Sequence, residues 1–201
     1  MQRGGTLVRE EAKAIERDGE HRISVRTTGA TLAGDNAVVA AGAWPRPLAR
    51  QVGDAVPLDT ERGYHVMFPG AQSLLSRPVG WAEMGFYMTP LADGLRAAGT
   101  VEFAGLEAPL NPERTRFLAR GARGLLPQLS EPVSEWLGFR PSLPDSLPVI
   151  GSSPRNPRVF YAFGHGHLGI TLGGVTARMV ADLIDGRRPV VDPSPYRPDR
   201  F

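Results

Sequence analysis

The sequence has no cysteine and a single lysine, Lys13. Without thiols there are no disulfides, thiolate nucleophiles or cysteine-ligated metals. The other basic residues are arginines, scattered without a run, and the formal charge is only +2 over 201 residues. Aromatic residues make up 7% of the chain and do not interleave with the arginines. A nucleic-acid partner needs a basic stripe, preferably with stacking rings, so none is expected. No apolar run approaches the roughly 20 residues that cross a bilayer, and no secretory pattern opens the sequence. A cytoplasmic protein is expected, with peripheral contact at the inner membrane left open. Catalytic signatures are also scarce. Gly151-Ser152-Ser153 lacks the flanking glycines of a nucleophile elbow, and no Walker loop occurs. His165 and His167 form a His-x-His pair with no nearby carboxylate to complete a ligand set, so no metal is expected.

What is present is enough for a core: 41% of residues are hydrophobic. Gly4 to Val8 reads as the exit from a helix into a strand. Glu11 to Glu16 and Arg22 to Thr27 read as short strands around a turn at Asp18-Gly19. Ala37 to Gly42 is a small apolar run ending in glycine, read as a buried strand of a parallel sheet with a ligand-facing tip. A short amphipathic piece covers Pro47 to Val52. The middle of the chain changes character. Runs at Gly63 to Phe68, Val79 to Ala82, Gly85 to Thr89, Leu95 to Ala98 and Thr100 to Phe103 are separated by Gly, Pro and Asp, which reads as an antiparallel meander. Asn111 and Pro112 supply an N-cap and a first helical residue for a helix over Pro112 to Leu126. Val133 to Arg140 reads as another strand, and Pro141 to Gly151 as a loop with Val149 and Ile150 buried. The fold class expected is α/β (α+β). Residues 1–56 and 140–201 form partial Rossmann-like elements, and 57–139 an antiparallel domain between them.

Near the end, Gly164-His165-Gly166-His167-Leu168-Gly169 matches the G-x-G-x-x-G spacing of dinucleotide loops. It follows a strand-like run, Val159 to Phe163, and opens a helical pattern from Thr171 to Ile184. The dinucleotide fold then needs a second parallel strand tipped by an acidic residue. Here the helix stops at Asp185-Gly186 and a proline-rich tail follows. The motif is therefore no self-sufficient Rossmann site. It remains a backbone-rich loop at a helix N-terminus, suited to a partly anionic ligand. From the residues alone, a tight strand-to-helix turn is an equal reading.

Three stretches in order, Gly138-Phe139-Arg140-Pro141, Asp145-Ser146-Leu147-Pro148-Val149-Ile150-Gly151 and Phe163 to Ile170, resemble the C-terminal part of the flavin-dependent D-amino-acid oxidase family. Bacterial D-amino-acid dehydrogenase is the branch most resembled, with glycine oxidase and D-amino-acid oxidase as cousins. Val38 to Trp44 resembles the family's flavin-side strand. Tyr87-Met88-Thr89-Pro90 and Gly99 to Phe103 resemble its substrate-domain strands. The family's opening βαβ unit, which carries the glycine-rich loop for the FAD pyrophosphate, has no counterpart here.

The resemblance implies FAD as cofactor and oxidation of a D-amino acid or related small amine, by hydride transfer from Cα to flavin N5. It makes 1–56 and 140–201 part of a FAD domain and 57–139 a substrate-binding domain. It implies that Arg140 grips the substrate carboxylate, a task that a planar guanidinium fork performs and lysine does not. It places Ala41, Gly42 and the loop Gly164, His165, Gly166, His167, Leu168, Gly169, Ile170 and Thr171 beside the cofactor. Tyr64, His65, Tyr87 and Thr100 are candidates to face substrate, each also compatible with sheet packing. Glu102 and Trp44 read as structural. No motif selects oxygen, a quinone or another electron acceptor, and an acceptor in the membrane would bring the protein to that surface. The alternative is a non-catalytic fragment or subunit that holds FAD only with a partner supplying the βαβ unit. An uncovered sheet face or edge in such a chain favours self-association.

Overall fold

β-strands dominate this chain, and which residues they bury decides where its site elements lie. The computed structural model describes residues 4–19 and 21–201. The residues split into two compact units, Met1–Leu58 with Pro141–Phe201, and Asp59–Arg140.

In the first unit, β1 (Ala12–Asp18), β2 (Arg22–Thr27) and β3 (Thr31–Gly34) form an antiparallel sheet in chain order. Ile15 and Ile23 point into the core. The strand expected near Gly4 to Val8 is absent; those residues are exposed and without regular structure, because no neighbouring strand takes up their backbone groups. β3 was not legible from its composition. It is held by register alone, Val25 opposite Leu32 and Ile23 opposite Gly34.

A second sheet orders β10 (Val149–Ser152), β11 (Val159–Phe163) and β4 (Ala37–Val39). β11 runs parallel to β4 and antiparallel to β10. The buried strand expected over Ala37 to Gly42 is shorter than its apolar run. It ends at Val39, and β4 is an edge among the described residues, with Val38 45% exposed. Val39 on the opposite side is buried with Val149, Val159, Tyr161 and Phe163. The Tyr161 hydroxyl donates to Asp54 Oδ2 at 2.6 Å. α1 (Arg46–Val52) follows, closed by Gly53 in the left-handed region at φ 101°. α3 (Gly169–Ile184) begins two residues before its expected start. Its Met179 and Val180 pack on Ile150 and Phe160.

The second unit is a five-stranded sheet with one helix. Its strands are β5 (Asp59–Phe68), β6 (Val79–Trp81), β7 (Phe86–Leu91), β8 (Gly94–Glu102) and β9 (Ser134–Ser142), in the order β6-β7-β8-β5-β9. The sheet is antiparallel from β6 through β7 and β8 to β5. α2 (Pro112–Leu125) has Asn111 as its N-cap, with Oδ1 accepting from the Glu113 amide at 3.0 Å. Leu118 and Ala122 of α2 join Tyr64, Val66, Phe86, Met88 and Ala97 in a closed core. The two runs expected at 95–98 and 100–103 are one strand with a bulge. Arg62 pairs with Glu102 but Tyr64 with Gly99, so β8 carries an extra residue there. Thr100 takes up that extra length at φ 61°.

Candidate active site

The turn after β11 is shaped by its glycines. Gly164 has φ 83° and Gly166 φ 52°, a region costly for residues with a Cβ. Gly164 also lacks room: a Cβ would lie 2.5 Å from Leu143 Cδ1. The Gly166 amide donates to the Pro141 carbonyl at 2.8 Å, and the Leu168 amide to the His165 carbonyl at 2.8 Å. His165 turns inward, its Nε2 3.0 Å from Thr176 Oγ1. Burial holds its pKa below the ordinary histidine value.

α3 begins at this turn without a side-chain cap. The amides of Gly169, Ile170 and Thr171 therefore have no acceptor within the helix, and they sit at its positive end. His167, Leu168 and Ile170 are exposed, Ile170 completely. Beside the turn is a cavity of about 580 Å³. Val38, Ala40 and Gly42 line it from β4 and its tip, and Gly173, Ala177 and Ala181 from α3. Gly42 has φ 58°, and a Cβ there would meet nothing within 4 Å. Small apolar walls and a rim of backbone donors suit a flat ring with electron-rich edge atoms.

The second unit carries a different set on the sheet face opposite α2. Tyr87 pairs with Ala98, and Ala98 with His65, so these side chains share one face. Tyr87 is exposed. Trp136 stacks on His65 at 4.9 Å, with ring planes 16° apart. Burial, and then the Arg96 charge, lower the His65 pKa. Gly63 is two residues from His65 on the same face, and a Cβ there would fall on the Arg140 guanidinium. Arg140 thus lies flat across Gly63, half-buried, with Nη1 3.4 Å from the Thr100 carbonyl. Burial lowers its pKa and the Glu61 carboxylate opposes that shift; the guanidinium stays charged.

Tyr64 and Thr100, each also compatible with sheet packing, have the following surroundings. Tyr64 is a core residue on the α2 side, 1% exposed. Its hydroxyl donates to Glu102, which also accepts from Asn111 Nδ2 at 2.9 Å and lies 3.4 Å from Arg62 Nε. The bond from Tyr64, then that from Asn111, lowers the Glu102 pKa. Thr100 turns its carbonyl to Arg140, while its Oγ1 is buried without a partner. Three positions were not among the candidate site residues: Gly63, Trp136 and Pro141. Only Gly63 left a signal, a glycine inside a strand of bulky residues, which marks close approach of another group.

A family described as DAO, FAD dependent oxidoreductase, matches residues 1–183. The chain belongs to the DAO family of FAD-dependent oxidoreductases. A D-amino-acid oxidase of Bradyrhizobium diazoefficiens is 39% identical across 98% of this chain and 48% of its own length. A D-amino acid dehydrogenase of Paramagnetospirillum magneticum is 35% identical across 92% of this chain and 44% of its own. The crystal structure of glycine oxidase from Geobacillus kaustophilus superposes with a TM-score of 0.85 at 28% identity, over 96% of this chain and 52% of that one. This DAO-family chain therefore spans about half the length of the curated relatives it matches. The α/β class, with partial Rossmann-like elements and an antiparallel sheet, is that of the DAO fold, and FAD is the family's cofactor. The cavity's small apolar walls and the uncapped first turn of α3 leave space and backbone donors beside the turn. No helix among the described residues is long and apolar enough to cross a membrane.

Proposed function

We propose that this chain carries the ring-binding and substrate-binding parts of a FAD-dependent enzyme oxidising D-amino acids or related small amines. The supporting observation is the bed built for Arg140: Gly63 omits a side chain where the guanidinium lies, and the Thr100 carbonyl holds one nitrogen. A fork fixed in that way presents its remaining N–H groups as a pair to a carboxylate. Tyr87 and the His65–Trp136 stack, on the same face, give the substrate side chain an aromatic surface. In the other unit, Gly42 and the 164–171 turn would hold the isoalloxazine ring, with the amides of Gly169 to Thr171 facing its electron-rich edge. When bound, FAD would supply the redox chemistry, taking up the hydride lost by the substrate. The residues of the chain bind and orient. Under this reading Met1–Leu58 with Pro141–Phe201 is the cofactor unit and Asp59–Arg140 the substrate unit.

A second reading is favoured by one observation. β4 is an edge, and the cavity beside it opens along the small-residue side of α3. A chain with this surface uncovered would hold FAD only with a partner polypeptide, or would pair with itself through the edge. Mixing the purified chain with excess FAD and passing it through a desalting column separates the two. Co-eluting visible absorbance supports the first reading. Colourless protein, or absorbance only in concentration-dependent oligomers, supports the second. With flavin held, Arg140→Lys should weaken amino-acid binding while the visible spectrum stays unchanged.

A further inference from the structure

Arg200 occupies a place that neither the motifs nor the proposed site explains. Its Nε donates to Asp145 Oδ2 at 2.7 Å and its Nη2 to Asp145 Oδ1 at 3.2 Å. The same Nη2 reaches the Leu147 carbonyl at 2.7 Å, and Nη1 the Arg197 carbonyl at 3.0 Å. The Phe201 ring lies 4.4 Å from the guanidinium carbon. All three guanidinium nitrogens are thus engaged, and the side chain is only 12% exposed. Other tail pairs differ: Arg197 and Asp199 also meet, but that arginine is 61% exposed and its partner is two residues away. The Arg200 pair bridges 55 residues.

The segment that Arg200 holds is bent and short of its own anchors. Asp145 Oδ1 accepts from the Leu147 amide at 3.1 Å, and the Ser146 amide donates to the Leu143 carbonyl at 2.9 Å. Ser146 sits at φ 60°, an uncommon place for a residue with a Cβ. The segment's other end touches the glycine-rich turn. Leu143 packs against the side of Gly164 where a Cβ would stand, and the Pro141 carbonyl accepts from the Gly166 amide.

We infer that Arg200 is a positioning residue: by clasping Asp145 and Leu147 it fixes the 141–148 segment, and through Leu143 and Pro141 it fixes the turn at Gly164–Gly166. The inference rests on the proposed function only for what that turn would hold. The mechanical coupling is a property of this chain without cofactor. The Arg200 guanidinium is shielded although the Asp145 carboxylate is about a third exposed (34%), and its bidentate, charge-assisted bonds are stronger than those of a fully exposed pair, which contributes little.

Amide hydrogen exchange on the whole chain, without flavin, tests it. Arg200→Gln should speed exchange at Leu147 and Ser146 and, in the same proportion, at Gly166, by roughly tenfold for the loss of charge-assisted bonds. The Gly186 amide, at the far end of α3, should not change. Arg200→Lys, which keeps the charge but loses the fork, should fall between. Arg197→Gln, the control in the same tail, should leave Gly166 at its starting rate. Asp145→Asn should reproduce the Gly166 effect and add little on top of Arg200→Gln. Faster exchange at Leu147 and Ser146 with Gly166 unmoved would overturn the inference. So would acceleration spread evenly over every amide, which means a general loss of stability. If Arg200→Gln does not fold, the Arg200→Lys and Asp145→Asn chains carry the same comparison. A chain that holds no FAD in the desalting experiment favours the second reading of its function and leaves this result standing.

Discussion

Gly63 and Arg140 together make the binding device that either residue alone would leave imprecise. A guanidinium on a flexible side chain samples many positions, and ordering it costs up to about 2 kcal/mol of rotamer entropy. The hollow at Gly63 and the Thr100 carbonyl restrict it in advance. Gly63→Ala should therefore push the guanidinium aside without breaking the strand. The displaced atoms are the tip of a long side chain, and alanine is acceptable in β5. Carboxylate affinity should drop by roughly ten- to a hundredfold, the equivalent of losing one charged hydrogen bond. The melting temperature should change little. Titration with a simple carboxylate, monitored by calorimetry, reads the first, and thermal denaturation the second. An unchanged affinity would mean that Arg140 does not bind through this pose. Two histidines give a pH signature at the same scale. His65 and His165 are both held below the ordinary value near 6.5, chiefly by burial. Between the lowered folded pKa and the unfolded one, the unfolded chain binds more protons, so stability falls as pH falls below about 6.5. Replacing both with glutamine should flatten the fall in midpoint between pH 7 and pH 5.5, measured by urea denaturation.

At the scale of elements, what could be read from the sequence was whatever depends on neighbours in the chain. α2 is the clear case: Asn111, Pro112 and the arginine spacing give its start within a residue, and the cap bond to Glu113 is there. β5, β7 and β9 were recognisable as strands, with ends set by pairing and not by composition. Gly99 looks like a break that splits β8 in two, but its partner β5 runs past and holds it as one bulged strand. The Arg140 bed and the packing of Tyr64 depend on which face of a strand a residue takes, and a register shift decides that. No local pattern reports it. Asn111 also shows how one element ties to another. Its Oδ1 caps α2 while its Nδ2 donates to Glu102. Asn111→Asp keeps a good cap but sets a second carboxylate against the first. It should destabilise the chain at pH 7, although aspartate and asparagine cap about equally well. The like charges raise the carboxyl pKa in the folded state, so the penalty should shrink as pH falls through the carboxylate range. Urea midpoints at pH 7 and pH 4.5 for both chains test this. A penalty independent of pH would show that Glu102 is not the neighbour that matters.

At the scale of the whole molecule, the two units differ in how completely each closes its core. Asp59–Arg140 is continuous in sequence and covers one sheet face with α2 around Phe86, Leu118 and Ala122. The other unit is assembled from two stretches of chain, and it keeps an edge at β4 and a cavity of about 580 Å³ lined by apolar atoms of Val38, Ala177 and Ala181. Unburied apolar lining and unpaired strand groups both forgo stabilisation. Exchange at β4, β11 and α3 should therefore occur through openings of lower free energy than exchange at β5 and β8. A ligand that seats in the cavity changes that order. FAD present at a hundred times its dissociation constant should add about 2.7 kcal/mol to the openings it blocks. Protection should rise at the 164–171 turn and along α3, and stay constant in β7 and β8. Hydrogen exchange read by mass spectrometry with and without FAD gives both values in one experiment. Protection gained equally in both units would mean that flavin binds elsewhere or stabilises the chain without choosing this cavity, and the ring-binding assignment of Gly42 and the 164–171 turn would fall.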